Sequence, residues 1–265
     1  MALTVSTNMS ALSASSAHGA LSASLNSLSS GSQATSAADL AVGENLDAES
    51  LAIDQGMRNA NDGISIIQTA EGSTNEVANI LGRMRELAMQ SASETLADSE
   101  RAYIQTEYTQ LVAEVDRIAG VTEFNGVALS DGSASALSVQ VGAAAEDAVG
   151  ITLGDLRATA LGIDLASVDL STAGGAFAAI DDIDAAMDTV GGYRADYGSA
   201  AGRLGSSLSA SSSELEALSS ARSQIMDADF ATASAEIAKN QIMQQAGVAA
   251  LAQARSVNQS ILALL

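Results

Sequence analysis

The side chains here that could do chemistry are few, and none has the neighbours its chemistry needs. His18 is the only histidine, and general-base or metal work requires a positioned partner that its Ser and Ala surroundings do not provide. It reads as a polar residue at a packing seam. Asp181, Asp182, Asp184 and Asp188 have spacings at which some could share a helix face, yet the glycine-containing loop and terminal Glu of a calcium hand are missing. A solvated acidic face is the better reading. Gly191, Gly192 and Gly198 follow no strand and precede no Gly-Lys-Ser/Thr, so they make no phosphate-binding fingerprint and read as a loop or helix irregularity. Serines abound, but a nucleophile needs an activating base, and with no cysteine and one isolated histidine the usual triads cannot be assembled. Neither catalysis nor a cofactor or metal is expected. Arg83, Arg85 and Glu86 read as the charged outer face of a helix that carries Leu81 and Met84.

Composition points instead to long helices. The 265 residues include no Pro, Cys or Trp, where average usage would give roughly a dozen prolines. Aromatics are 3% of the chain against 47% hydrophobic residues, so apolar surface comes from small and aliphatic side chains, which suit helix-on-helix packing. Lys plus Arg number 11 against 32 Asp plus Glu, a net charge of −21. That charge repels phosphate backbones and anionic headgroups, which argues against nucleic-acid and membrane partners. The N-terminus has no basic region followed by an apolar run, so no cleaved signal is expected, and no window has the unbroken apolar length of a membrane span.

Ala11, Ala14, His18, Leu21, Leu25 and Leu28 recur at steps of three and four, as do Val248, Leu251, Ala254, Val257, Ile261 and Leu264. A narrow stripe on an otherwise polar helix is a seam for a partner helix. Ser36 to Gly56 has a poor helical pattern and reads as an irregular connector. A long helix is predicted after Asp62-Gly63, with Ile67, Ala70, Val77, Leu81, Met84 and Ala88 on one face, broken by polar residues at 93–98. A second follows with Ile104, Tyr108, Leu111, Val115 and Ile118. Beyond Gly120, the turn formers Asn125-Gly126 and Asp131-Gly132 and the alternation of Leu137 to Val141 predict a small β element, with Ile151-Thr-Leu153 as partner strand. Helical periodicity returns at Ile180, Ile183, Met187 and Val190, pauses at the three glycines, and resumes from Leu204 to Ile225. The fold class is mainly α: long antiparallel helices in a coiled-coil-like bundle, with a small β-hairpin element mid-chain.

The blocks Arg58-Asn-Ala-Asn-Asp-Gly-Ile-Ser65, Gln68-Thr-Ala-Glu-Gly72, Arg85-Glu-Leu-Ala-Met-Gln-Ser91, Glu114-Val-Asp-Arg-Ile118 and Thr122-Glu-Phe-Asn-Gly126 resemble the N-terminal half of bacterial flagellin. Ala221 to Ala231, Lys239-Asn-Gln-Ile-Met-Gln-Gln-Ala-Gly247 and Leu251-Ala-Gln-Ala254 are similar to its C-terminal region. The resemblance implies a short flagellin with little or no variable outer domain. Its expected parts are an N-terminal inner-tube helix (1–35), a connector with the first part of an outer helical bundle (36–121), a β element and loop (122–175), the bundle's C-terminal helix (176–222) and a C-terminal inner-tube helix (223–265). Gln33 stands where an arginine is typical, the connector before Arg58 is about four residues short, and Val257 replaces a common proline, which should leave the last helix unbroken.

The implied function is a structural subunit of the flagellar filament, extracellular and exported without a cleaved signal. A hook-filament junction protein is the alternative. Expected partners are copies of the chain itself, the export apparatus with a chaperone that binds the C-terminus, and cap and hook-junction proteins. The implied filament-core contacts are Leu21, Leu25, Leu28, Val248, Leu251, Val257, Ile261 and Leu264. Arg83, Leu87 and Glu107 match positions that flagellins present to Toll-like receptor 5, or that meet neighbouring subunits, although Gly82 stands where glutamine is frequent in recognised members. The terminal stripes are expected to stay disordered until neighbours supply apolar surface. The charge of −21 is expected to make the filament dissociate on desalting and to mark a marine or saline source.

Overall fold

A computed structural model describes residues 9–33 and 36–262. The order is α1 (Met9–Ser30), α2 (Ala37–Ser91), α3 (Asp98–Val121), β1 (Glu123–Phe124), β2 (Val127–Ala128), β3 (Ala136–Gln140), β4 (Ala148–Thr152), α4 (Ala158–Leu161), α5 (Ala173–Met226) and α6 (Phe230–Leu262). The chain forms two compact units, one of residues 1–50 with 216–265 and one of residues 51–215.

The expected connector at 36–56 is helical from Ala37 onward, because α2 is one helix of 55 residues. The reason lies in its seam. Ile53, Gly56, Ala60, Gly63, Ile67, Ala70, Thr74, Val77, Leu81, Met84, Ala88 and Ser91 are all buried, at alternating steps of three and four. Further back, Gly43 is buried and Leu46 half-buried at the same steps. The period never slips, but glycines hold seam positions where a large apolar residue would mark it. Each glycine leaves room for a partner. A Cβ on Gly43 would collide with the Met226 side chain, one on Gly56 with the carbonyl oxygen of Val141, and one on Gly63 would come within 3.1 Å of Leu204 and Val139.

The second unit is built on α2 and α5 running antiparallel. At one end, Val77 to Ala88 of α2 and Ala92 just beyond it pack with α3, the 156–170 segment and Ala176 to Val190 of α5 in one core. At the other, Ala60, Ile67 and Ala70 pack with Leu129, the β3–β4 strands and Tyr197, Ala200 and Leu204. The third layer is therefore α3 along one half and a β-hairpin along the other. β1 pairs with β2 and β3 with β4, both antiparallel, with Leu137 opposite Ile151. Asn125 (φ 50°) and Gly126 (φ 79°) are both left-handed in the β1–β2 turn, the geometry of a two-residue Asn-Gly hairpin. The 155–172 segment is strapped down by side chains. The Ser91 hydroxyl donates to Leu170 O (2.6 Å), Tyr108 Oη donates to Ile163 O (2.9 Å), and Asp116 accepts from Ala158 N (2.8 Å).

No pause interrupts α5, which continues through Gly191, Gly192 and Gly198. Those glycines lie on the exposed face while Val190, Tyr197 and Ala200 stay buried, so packing on the other face offsets a cost of about 1 kcal/mol per exposed helical glycine. Gly56 is different, because backbone stands where its side chain would go. Gly56→Ala is expected to destabilise by about 1–3 kcal/mol through overpacking, while Gly72→Ala, with open space around it, should stabilise by up to about 1 kcal/mol. Thermal unfolding followed by circular dichroism checks both signs.

In the first unit α1 and α6 pair antiparallel. α1 stops where Gly31 turns left-handed at φ 69°. Gly31–Gln33 then meets Met226–Ala228: Gln33 N donates to Met226 O (2.8 Å) and Ala228 N to Gly31 O (2.9 Å), flanking an isolated bridge between Ser32 and Asp227. α6 runs unbroken through Val257.

Candidate assembly surfaces

The α1 seam is shifted by one residue at two of the expected positions. Ala17, Leu21 and Ser24 are buried and Leu28 half-buried, whereas His18 and Leu25 are exposed, Leu25 by 47%. Both stripes fit steps of three and four, so periodicity alone could not choose between them. On α6, Asn240 is buried, and Ala233, Ile237, Gln244 and Gly247 are half-buried, again at steps of four and three. The amide nitrogen of Gln244 lies 3.3 Å from His18 Nδ1. Among these positions only Leu21, Leu28 and Ile237 bring large apolar side chains.

Larger apolar groups point away from that seam. Leu12, Leu25, Ile242 and Val248 are exposed by 64%, 47%, 67% and 59%. At 100° per residue, Val248 flanks the α6 seam and Ile242 lies opposite it. Of the other predicted core contacts, the side chains of Leu251, Val257 and Ile261, and Leu264 altogether, lie outside the described residues.

In the second unit Arg83 joins two helices. Its Nη2 and Nε reach Glu107 Oε1 of α3 at 2.7 and 3.1 Å, and Nη1 reaches Glu86 Oε2 at 2.9 Å. Hydrogen bonding to Glu107, then to Glu86, raises the guanidinium pKa above its ordinary value. Arg85 reaches across to α5, with Nε 2.6 Å from Asp184 Oδ1. That hydrogen bond holds Asp184 below the usual carboxylate range, so Asp184 is an ion-pair partner rather than part of a wholly solvated acidic face. Leu87 does not share the surface of Arg83 and Glu107. It is 1% exposed in the α2–α3–α5 core, because the steps that bury Met84 and Ala88 turn it inward as well, and it has no side chain to offer a receptor or neighbouring subunit.

Sequence reasoning missed Arg101, which is 5% exposed in the first turn of α3 and reaches back into the α2–α3 connection, where Nη2 donates to Ser93 O (2.8 Å) and Leu96 O (3.3 Å). Only its place just after a helix break could have signalled it. Among the described residues no group of three or more His, Asp or Glu could hold a metal ion, and no helix is long and apolar enough to cross a membrane. The features that stand out are helix faces and ion pairs.

Comparison with known proteins gives those faces a context. Residues 5–135 match the bacterial flagellin N-terminal helical region and residues 180–265 the bacterial flagellin C-terminal helical region. A flagellin of Halalkalibacterium halodurans is 38% identical, with 86% of this chain and 84% of that one covered. Flagellin A of Vibrio cholerae is 31% identical with all of both chains covered, over 378 aligned positions; since this chain has 265 residues, it lacks residues the relative has. The Bacillus cereus flagellin crystal structure superposes with a TM-score of 0.52 at 30% identity, covering 58% of this chain and 88% of that one. A putative flagellar hook-associated protein of Vibrio parahaemolyticus superposes with a TM-score of 0.60 over 72% of this chain and 98% of that one, but at 17% identity it shares the fold alone. With both helical regions matched across most of its length, the chain belongs to the bacterial flagellin family.

Proposed function

We infer that this chain acts by assembly, as a structural subunit of the flagellar filament, an extracellular appendage that serves swimming motility. One observation carries the reading furthest. The terminal helix pair spends few large apolar residues on its own seam and leaves Leu25, Ile242, Met243 and Val248 exposed, so its apolar faces are completed only by neighbours. Folding of these ends and polymerisation then support each other.

Family membership supports a set of finer partners. They are the export apparatus, a chaperone that covers the C-terminal helix before export, and cap and junction proteins at the filament ends. Arg83 and Glu107 provide an exposed ion-paired surface for Toll-like receptor 5 or for an adjacent subunit, with Leu87 acting beneath it as support.

The test is seeded growth of the purified full chain, read by negative-stain microscopy. Long tubes are the expected result, and rings or monomers at every condition would favour a junction protein. Salt should tune the growth. Subunits of charge −21 repel over a Debye length of about 8 Å at physiological ionic strength and about 30 Å at 0.01 M. Filaments are therefore expected to shorten or dissociate on desalting and to regrow when salt is restored, and equal stability at both would remove charge repulsion as a control on assembly.

A further inference from the structure

The α1–α6 seam contains a polar residue where an apolar one would hold it better. Asn240 is 8% exposed at the middle of the α6 seam, between the half-buried Ile237 and Gln244. Across the seam α1 buries Ser24, 9% exposed, beside Leu21, and one turn along from Asn240 the Gln244 amide meets His18. Consecutive α6 seam positions thus carry Asn and Gln, and the α1 seam buries Ser24. Among the described residues, the largest fully buried side chains are aliphatic, Met or Tyr: Tyr108, Tyr197, Ile67, Leu81 and Met84 are under 2% exposed.

A single Asn in a helix–helix seam lowers stability and fixes register. That combination suits a pair made mostly of short side chains. A seam in which Ala17, Ser24, Ala233 and Gly247 alternate with the larger side chains resists sliding poorly, since neighbouring registers bury similar surface. A strong apolar seam would fix the register too, but it would also hold the two helices together in the free subunit.

We propose that Asn240 is the positioning residue of the terminal helix pair: it fixes the α1–α6 register and keeps the pair weak until neighbouring subunits cover it. The proposal rests on the assembly reading. Asn240 need not touch another subunit, since it acts through the alignment of α1 with α6 and hence through where Leu25 and Val248 are presented.

The experiment compares full-length wild type, Asn240→Leu and Asn240→Ala, by hydrogen exchange of the free subunit and by growth from wild-type filament seeds. In Asn240→Leu, amides of residues 233–247 are expected to exchange on the order of tenfold more slowly, the change that about 1.4 kcal/mol produces, while seeded growth slows and the filaments lose regular helical order. Asn240→Ala, which adds no bulk, should shift exchange in the same direction by less. Unchanged or faster exchange in both variants overturns the proposal, as does Asn240→Leu growth at the wild-type rate with wild-type order. Absence of growth from the wild-type chain itself would count against the assembly reading, and the exchange comparison would still decide whether Asn240 weakens the pair.

Discussion

With aspartate in place of Leu25 or Val248, seeded filament growth is expected to fall by on the order of 100-fold or more while the free subunit keeps its stability. Both side chains are largely exposed in the isolated chain, at 47% and 59%, and surface substitutions of this kind change subunit stability by no more than about 0.5 kcal/mol. The effect appears only when a neighbour covers the site, because an uncompensated carboxylate buried in an apolar contact costs about 3–5 kcal/mol. Two controls separate the causes. Asparagine at the same positions should still impair growth, since it too brings an unsatisfied polar group, and high salt should not rescue the aspartate variants if burial rather than added charge is responsible. Growth of Leu25→Asp and Val248→Asp at wild-type rates would mean that these faces stay open in the polymer. Microscopy for growth and thermal unfolding for subunit stability make the comparison complete.

The second large effect concerns the subunit itself. Tyr108 is fully buried in the core that joins α2, α3, the 156–170 segment and α5, and its hydroxyl donates to Ile163 O at 2.9 Å. Burial pushes the phenol pKa well above its ordinary value, so it remains a neutral donor throughout the working pH range. Tyr108→Ala is expected to cost about 3–5 kcal/mol, as large aromatic truncations do, and to drop the midpoint of denaturant unfolding sharply. Tyr108→Phe keeps the ring and loses one hydrogen bond, leaving a buried carbonyl unsatisfied, for about 1–3 kcal/mol. If the two variants were equally destabilised, the strap on the 163 carbonyl rather than the ring would be what holds this segment to the bundle.

Much of this molecule was legible in the sequence where residue type and spacing agree. The steps from Ile67 to Ala88 and from Ile104 to Ile118 place α2 and α3, and the polar run at 93–98 separates them at Ser91 and Asp98. Asn125-Gly126 made its hairpin because those two residues accept left-handed backbone with little strain. The alternation from Leu137 to Val141 paired with the strand that holds Ile151. The blocks shared with flagellins carried the family.

Local sequence determined the break between α2 and α3 and the turn chemistry at Asn125-Gly126, since each depends on a residue and its near neighbours. Tertiary structure alone decided what the glycines mean. Gly43 and Gly56 looked like interruptions, yet they sit on the unbroken seam of α2 because Met226 and the Val141 backbone occupy the space their side chains would take. Nothing within four residues of Gly56 reveals a strand end 85 positions later. It also decided which of two neighbouring stripes on α1 faces α6. Leu21 serves both, but Ala17 and Ser24 are turned inward while His18 and Leu25 are left outside, since seams one residue apart differ by only about 100° on a helix and the partner's surface makes the choice. For the same reason Leu87, matched to a flagellin surface by resemblance, is enclosed here by the third helix packed against α2.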